Sequence, residues 1–312
     1  MPKTAVMLAT YNGEKLLEKQ LDSIRNQTVP ADYVLFRDDK STDGTVSYLK
    51  NYIEHHQLKN WIVRVNDNNL GWRKNFRQLL VDGLELDVDY LFFSDQDDEW
   101  LLSKNEKQLS ILEEHPEIEL LTCDSKIKVI GENTPNLVML QFPDKEKPLS
   151  KFPREKHYKL YRGGRSMAMR KSYIARLIPY WKEEYNTTHD ILLYVVASQL
   201  GVGYNLNEEL IIHLRHGNNA SGGKLLKLSD KKGVHVSELY KILGFYSVIY
   251  NVLKDRGMDT SEIEGYYQFY KKRYNYASEN KSIKSLLLIF TSWKYYPSTS
   301  GRIRDLIFSL KK

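Results

Sequence analysis

A chain of 312 residues, 41% hydrophobic and 28% charged, with a mean hydropathy of −0.53, can bury one large core, or a medium core with an appendage. No apolar run approaches the ~18 residues that span a bilayer, and the single cysteine, Cys123, excludes an internal disulfide and a cysteine-based zinc site. The net charge of +6 is unevenly spread: residues 225–312 hold 16 Lys/Arg against 8 Asp/Glu, leaving 30 against 32 in residues 1–224. A near-neutral body of residues 1–224 and a basic, Tyr-rich part of residues 225–312 are therefore expected. The chain enters its first strand within three residues, without a charged-then-apolar leader, which argues for a cytoplasmic location.

Lys3–Leu8 reads as a buried strand closed by an Asn12-Gly13 turn, and Leu16, Leu17, Gln20, Leu21 and Ile24 share one face of a helix. Tyr33–Phe36 is a second strand, followed by a helix carrying Val46, Leu49 and Ile53; Trp61–Val65 is a third, followed by a helix carrying Phe76, Leu79 and Leu80. Tyr90–Phe93 is the fourth, and Ser103-Lys-Asn-Glu106 has the form of a capping box opening a helix to about Glu114. Strand and helix alternate four times, which predicts an α/β fold with a mainly parallel sheet covered on both faces. Beyond Glu114 the rhythm changes. Leu120–Ile130 looks like one or two strands, Gly131–Arg154 like a long polar connection, Asp190–Leu200 like an apolar helix and Glu209–Leu214 like a further strand. Leu239–Leu253 and Ile263–Tyr276 are helical, with a basic segment after them.

The chemistry gathers where these strands end. Thr10-Tyr11, Asp38-Asp39 and Asp95, Asp97 and Asp98 all follow strands, and in a parallel sheet such ends converge on one ligand-binding edge. Asp95 and Asp97, two positions apart in a sharp turn, can both reach one hard divalent cation or a diphosphate held by it. The plain alternative is a solvated acidic turn. No G-x-G-x-x-G follows the first strand and no G-x-x-x-x-G-K-[ST] occurs, which disfavours a Rossmann dehydrogenase or P-loop enzyme.

Leu8-Ala-Thr-Tyr-Asn-Gly13, Arg37-Asp-Asp-Lys-Ser-Thr-Asp-Gly-Thr45, Asn69-Leu-Gly71 and Phe93-Ser-Asp-Gln-Asp-Asp98 resemble the family 2 glycosyltransferases of the GT-A fold. Asp-Gln-Asp-Asp followed by Glu99-Trp100 is similar to the bacterial rhamnosyltransferase-like branch. Gly163-Gly-Arg-Ser-Met-Ala-Met-Arg170, His189-Asp190 and Leu214-Arg-His-Gly-Asn-Asn219 occur in the order that branch shows. The resemblance covers about Lys3 to Gly223. It implies a Rossmann-like GT-A domain over residues 1–224, with residues 225–312 as a helical extension.

It further implies a metal-dependent inverting transferase. The enzyme would move a sugar, with L-rhamnose from dTDP-β-L-rhamnose as the first candidate, to a glycan, lipid-linked or protein-linked hydroxyl in surface polysaccharide or glycoconjugate synthesis. A UDP-hexose donor and a nucleotide-sugar-binding protein without turnover are the alternatives. By resemblance Thr10, Tyr11, Asn12, Asp38, Asp39, Asp95 and Arg215 contact the nucleotide sugar, and Asp97 and His216 hold Mn²⁺ or Mg²⁺. Asp98, Trp100, Gly164 and His189 line the acceptor or sugar pocket, and Asp190 is the general base. Lys40 departs from the pattern, standing where many relatives have Gly, which tolerates positive φ. Read from the residues alone, Asp190 also suits a helix N-cap, and cap and base are compatible because the helix dipole favours the ionised form.

The basic segment sets Lys281, Lys284, Trp293, Lys294, Tyr295, Tyr296, Arg302, Arg304, Lys311 and Lys312 around Leu286-Leu-Leu-Ile-Phe290. That composition suits an anionic membrane interface and a peripheral location, a helical cap or a homo-oligomer surface. Nothing resembles a nucleic-acid reader, and none is expected as a partner.

Overall fold

β1 (Thr4–Thr10) lies at the middle of the parallel half of the sheet, with β2 (Tyr33–Asp38) on one side and β4 (Tyr90–Ser94) on the other, both parallel to it. β3 (Trp61–Val65) pairs parallel outside β2. The computed structural model describes residues 2–130, 140–154, 160–215 and 230–311. Two units make up the chain: Met1–Ile178 with Thr188–Ala220, and Pro179–Thr187 with Ser221–Lys312.

The apolar runs of β1 and β4 follow from burial on both faces. Val6, Leu8 and Phe92 face a cluster with Leu17, Leu21 and Ile24 of α1 (Leu17–Arg25) and Leu49 and Tyr52 of α2 (Thr45–His55). The opposite face meets α3 (Trp72–Glu85), where Phe76 lies edge-on to Phe93 with ring centroids 5.5 Å apart. α3 approaches so closely that a Cβ on Gly83 would sit 2.7 Å from the Met7 methyl. The expected doubly covered α/β sheet is what the chain forms.

After β4 the sheet turns antiparallel. β8 (Ala168–Arg170) pairs antiparallel with β4 and with β6 (Leu120–Val129), and β6 pairs parallel with β9 (Gly203–Arg215). β5 (Glu99–Trp100) and β7 (Leu149–Lys151) add to β9, giving the order β3-β2-β1-β4-β8-β6-β9-β5. β6 is one strand, with its register shifting between Cys123 and Ser125. β9 starts at Gly203 rather than at Glu209, because Tyr204–Leu206 pair with Leu121–Cys123 although their sequence carries little apolar period. β5, β7 and β8 are too short to show a period at all.

α4 (Lys104–Glu114) begins after Ser103 as expected, but the capping box does not form. Ser103 makes no side-chain cap bond, and the Glu106 carboxylate instead accepts the Thr28 hydroxyl at 2.7 Å. A tertiary partner outcompetes the local one. α5 (Lys171–Leu177) and α6 (His189–Leu200) complete the helices of the first unit among the described residues.

The second unit contains α7 (Lys232–Asp255), α8 (Ser261–Ser278), α9 (Ser282–Thr291) and α10 (Thr299–Leu310). Tyr246, Phe269, Tyr270, Leu288, Ile289 and Tyr296 form its core. Arg273 grips Asp305 with two bonds of 2.8 and 2.7 Å, and the Tyr296 hydroxyl donates to the same carboxylate at 2.6 Å. Burial alone would raise the Asp305 pKa; His235, Arg273 and Tyr296 reverse this and bring it to about 2. Among the described residues no helix is long and apolar enough to cross a membrane.

One buried cation in the first unit has no carboxylate beside it among the described residues. Lys104 is fully buried, its Nζ donates to Gln108 at 2.8 Å, and it lies 3.7 Å from the Trp100 ring centroid. Desolvation lowers its pKa to about 8. Between about pH 8 and 10.5 the unfolded chain holds a proton that the folded one has lost, so stability rises with pH across that window. The stability difference between Lys104→Met and wild type should therefore fall by roughly 3 kcal/mol from pH 7 to pH 10.5. Urea unfolding of both proteins along a pH series measures it, and a difference flat with pH would show that Lys104 titrates normally.

Candidate functional site

The chain leaves β1 for β2 on one side and returns to β4 on the other, which opens a crevice at the carboxyl ends of β1 and β4. Open α/β sheets bind ligands at such a switch point. Gln96 ties its two rims together. Its Oε1 accepts the Tyr11 amide at 2.9 Å, and its Nε2 donates to the Tyr11 carbonyl at 3.1 Å. The Tyr11 ring stays 47% exposed at the edge.

Asp38 and Asp39 reach this edge but are turned inward. Thr10 Oγ1 donates to Asp38 at 2.8 Å, and the Ser41 amide and hydroxyl donate to the same carboxylate. Asp39 accepts from Asn66 Nδ2 at 2.8 Å, the Leu70 amide at 2.7 Å and the Gly71 amide at 2.8 Å. Gly71 adopts φ 79°, a backbone that presents its amide to Asp39 and suits glycine alone. Lys40 also takes a positive φ, 60°, despite its side chain. The bonds on both sides of it hold that conformation, and its ammonium donates to the Asp67 carbonyl. Asn12 joins the same loop: its amide donates to Ser41 and its Oδ1 accepts the Thr42 amide at 2.8 Å.

The carboxylates after β4 stand differently. Asp95, Asp97 and Asp98 each offer one oxygen, all within 4.8 Å of one another. Burial, then Asp98 and Asp97, push the Asp95 carboxyl well above its ordinary range. Asp98 has His213 Nδ1 at 2.6 Å and Arg165 Nε at 3.7 Å. Burial works against the Arg165 cation, but Asp98 and Asp95 outweigh it and raise its pKa. Three hard oxygen donors with excess like charge fit a divalent cation such as Mn²⁺ or Mg²⁺.

Asp190 lies in the first turn of α6, after the N-cap Thr188, so it is not the cap. Its Oδ1 accepts the Ile191 amide at 2.8 Å, and its Oδ2 accepts the Tyr161 hydroxyl at 2.8 Å and the Gly164 amide at 3.3 Å. Burial and the Asp190 carboxylate raise the Tyr161 pKa far, which keeps the phenol a donor. Asp190 is near enough to Asp95 that its charge contributes to the raised Asp95 pKa. His189 lies flat on Phe76, with centroids 3.9 Å apart, and its ring nitrogens have no hydrogen-bond partner among the described residues. Burial lowers its pKa, so a neutral ring packs as an aromatic. A Cβ at Gly164 would come within 2.8 Å of His189 Nε2, so glycine permits this approach.

Asp95, Asp97, Asp98, Gly164, His189 and Asp190 therefore form one connected group, with Thr10, Tyr11, Asn12, Asp38 and Asp39 on its β1–β2 side. Trp100 is not in the crevice: it is 2% exposed, and its ring lies in the core beside Lys104. Arg215 ends β9, and His216 with Gly217–Gly223 lies outside the described residues. Sequence reasoning missed Gln96, Tyr161, Arg165 and His213. Arg165 belongs to a motif already singled out, and Tyr161 stands two residues before it; an isolated His213 within a strand gives no signal.

Removing the Asp39 carboxylate strands three buried or half-buried donors. Asp39→Ala should lose about 2–4 kcal/mol of stability, and Asp39→Asn less, since one amide oxygen can still accept. Denaturant unfolding followed by tryptophan fluorescence measures this. A loss below about 1 kcal/mol, the net worth of a single ordinary bond, would show that the Asn66–Gly71 loop does not depend on Asp39.

The family model described as glycosyl transferase family 2 matches residues 5–177. A dTDP-rhamnosyl transferase, RfbG, of Shigella flexneri is 36% identical over 106 residues, a segment that is 34% of this chain and 36% of that protein. TarS 1-349 of S. aureus, solved in complex with UDP-GlcNAc, superposes with a TM-score of 0.60 at 16% identity, over 98% of this chain and 89% of that one. A mannosyltransferase of Pyrobaculum calidifontis, solved with GDP-Man and Mn²⁺, has a TM-score of 0.50 at 14% identity, over 99% and 86%. The fold is that of the GT-A glycosyltransferases, and with its family model matched across more than half its length the chain belongs to glycosyl transferase family 2.

Proposed function

We propose that this protein is a metal-dependent, inverting glycosyltransferase using a nucleotide-diphosphate sugar donor. The observation that carries the reading is the joining of two carboxylate systems by one turn: the Asp95, Asp97 and Asp98 oxygens lie within 4.8 Å, Arg165 stands 3.7 Å from Asp98, and the neighbouring Gly164 amide donates to Asp190 at 3.3 Å. The acceptor is a glycan, lipid-linked or protein-linked hydroxyl, in polysaccharide or glycoconjugate synthesis. The likeness to a dTDP-rhamnosyl transferase favours dTDP-β-L-rhamnose as donor.

Asp190 takes the proton of the acceptor hydroxyl. The acceptor oxygen then bonds to the anomeric carbon as the carbon–oxygen bond to the diphosphate breaks on the opposite face, and the nucleoside diphosphate leaves. The Tyr161 hydroxyl and the Gly164 amide fix the orientation of the Asp190 carboxylate, while the Ile191 amide bond leaves its Oδ1 room for a further donor. Asp97 and Asp95 would hold the divalent cation, with the Asp98 oxygen beside them and His213 and Arg165 next to Asp98. Such a cation would supply charge neutralisation for the departing diphosphate. Thr10, Tyr11, Asn12, Asp38 and Asp39 shape the nucleoside side. The exposed Tyr11 ring offers a face for a base; Asp38 and Asp39 act through the loops they brace.

Two variants test the separate parts. Asp97→Asn should abolish turnover and remove the Mn²⁺ dependence of nucleotide binding without changing the fold. Metal-dependent binding at wild-type strength in that variant overturns the metal assignment. Asp190→Asn should keep nucleotide-sugar affinity by calorimetry but lower nucleoside-diphosphate release by about 10²–10⁴-fold, the usual share of general-base catalysis. A rate within about threefold of wild type, far short of that range, removes Asp190 from the role.

A further inference from the structure

The C-terminal unit carries a surface that the transfer chemistry does not use. α9 and α10 run side by side in opposite directions. At one end the Ser282 hydroxyl donates to the Ser309 carbonyl at 2.6 Å, and at the other the Arg302 guanidinium lies 3.4 Å from the centroid of the Trp293 ring. The inner sides are Leu288 and Ile289 of α9, and Asp305 and Phe308 of α10. At 100° per residue, Ile283, Leu287 and Phe290 on α9, and Ile303, Leu306 and Leu310 on α10, fall on the far side of each helix from these buried residues. All six are exposed, as is Trp293; Ile283 and Phe290 are each 75% exposed and Leu310 is 71%. Scattered apolar side chains are ordinary on a protein surface, but seven large exposed ones on two adjoining helices and the turn between them point to an interaction site.

Its charge identifies the occupant. Between residues 279 and 311 the cations are Lys281, Lys284, Lys294, Arg302, Arg304 and Lys311, against only Glu279 and Asp305. Glu279 and Lys281 cancel as a pair, and Asp305 is buried on Arg273, so the face keeps an excess of cations with no exposed unpaired acid among the described residues. A second copy docking through a two-fold axis would set this cationic frame against itself. An anionic lipid surface meets it with opposite charge, while Phe290, Trp293 and the aliphatic residues enter the headgroup boundary. Helices of 10 and 12 residues are too short to span a bilayer and suit lying in its plane. We propose that the outer face of the α9–α10 hairpin docks this protein on an anionic membrane surface.

The test is co-sedimentation of the full chain with phosphatidylcholine vesicles, with and without phosphatidylglycerol, across a salt series. Wild type should bind the anionic vesicles preferentially and release them as salt rises. Leu287→Ser/Phe290→Ser should lower partitioning at least about tenfold, and Lys284→Glu/Lys294→Glu about fivefold or more for each reversed cation at low salt. Because these side chains point outward, thermal melts should match wild type; if the double serine variant melts early, Phe290→Ser alone gives the same comparison. Equal binding to neutral and anionic vesicles, no binding at low salt, or variants that bind within about twofold of wild type, a change below the worth of one cation, would overturn the proposal. So would a wild-type dimer in sedimentation that Leu287→Ser/Phe290→Ser converts to monomer, which would assign the face to self-association.

Discussion

Carboxylates whose oxygens lie within 4.8 Å of one another repel by roughly 3 kcal/mol per pair at an effective dielectric of about 20, and the crevice beside β4 is arranged around that repulsion. Asp98 is 1% exposed, so water cannot screen it. Compensation has to come from the protein, and it comes from two distant segments: His213 from β9, and Arg165 from the 3-10 turn Gly164–Ser166 that leads into β8. The mixed half of the sheet beyond β4 is what brings both beside the strand end. Burial first, and then the charges of Asp98 and Asp97, still raise the Asp95 carboxyl well above its ordinary range. A cation is the physical complement of such a site.

The same residue type meets opposite fates at neighbouring strand ends. Asp38 and Asp39 are surrounded by donors from their own loop and from Asn66–Gly71, and every close partner is a hydroxyl, an amide or a backbone N–H. Their charge is consumed in holding a loop that contains a lysine at positive φ. Asp95 has carboxylates for neighbours instead. Asp190 is intermediate, with three donors that orient it and a position in the first turn of a helix, where the dipole favours negative charge. Tyr161 and Gly164, which hold it, flank Arg162 and Gly163 in one short segment. That segment therefore serves both carboxylate systems, through Tyr161 and Gly164 for one and Arg165 for the other.

The C-terminal unit solves a different problem. Its core contains Tyr246, Tyr270 and Tyr296, and rings with polar tips need partners when buried. Tyr296 finds one in Asp305, which Arg273 holds with paired bonds, and the Arg273 guanidinium also lies 4.8 Å from the Tyr296 ring centroid. With Tyr296, Asp305 and Arg273 paired inside, the apolar residues of α9 and α10 are divided between an inner side that completes the core and an outer side that faces solvent.

What the amino-acid sequence determined by itself is the alternating half of the fold and the chemistry gathered at its edge. β1, β2 and β4 are apolar runs because both faces of each are covered, and Asp95, Asp97 and Asp98 follow the fourth strand in one turn whatever the rest of the chain does. Such features depend on neighbours in sequence. The tertiary structure alone decided how each acidic residue is surrounded, because the donors that close on Asp39 and the His213 ring and Arg165 cation beside Asp98 come from segments remote in the chain. It decided that Trp100 is a core residue, covered by a lysine from the next helix, and that the second residue of α6 rather than its cap is Asp190. It also decided that Ser103 and Glu106 do not cap each other, since Thr28 takes the glutamate. Short strands such as β5, β7 and β8 exist only through their partners, and a strand of two or three residues has no period to read.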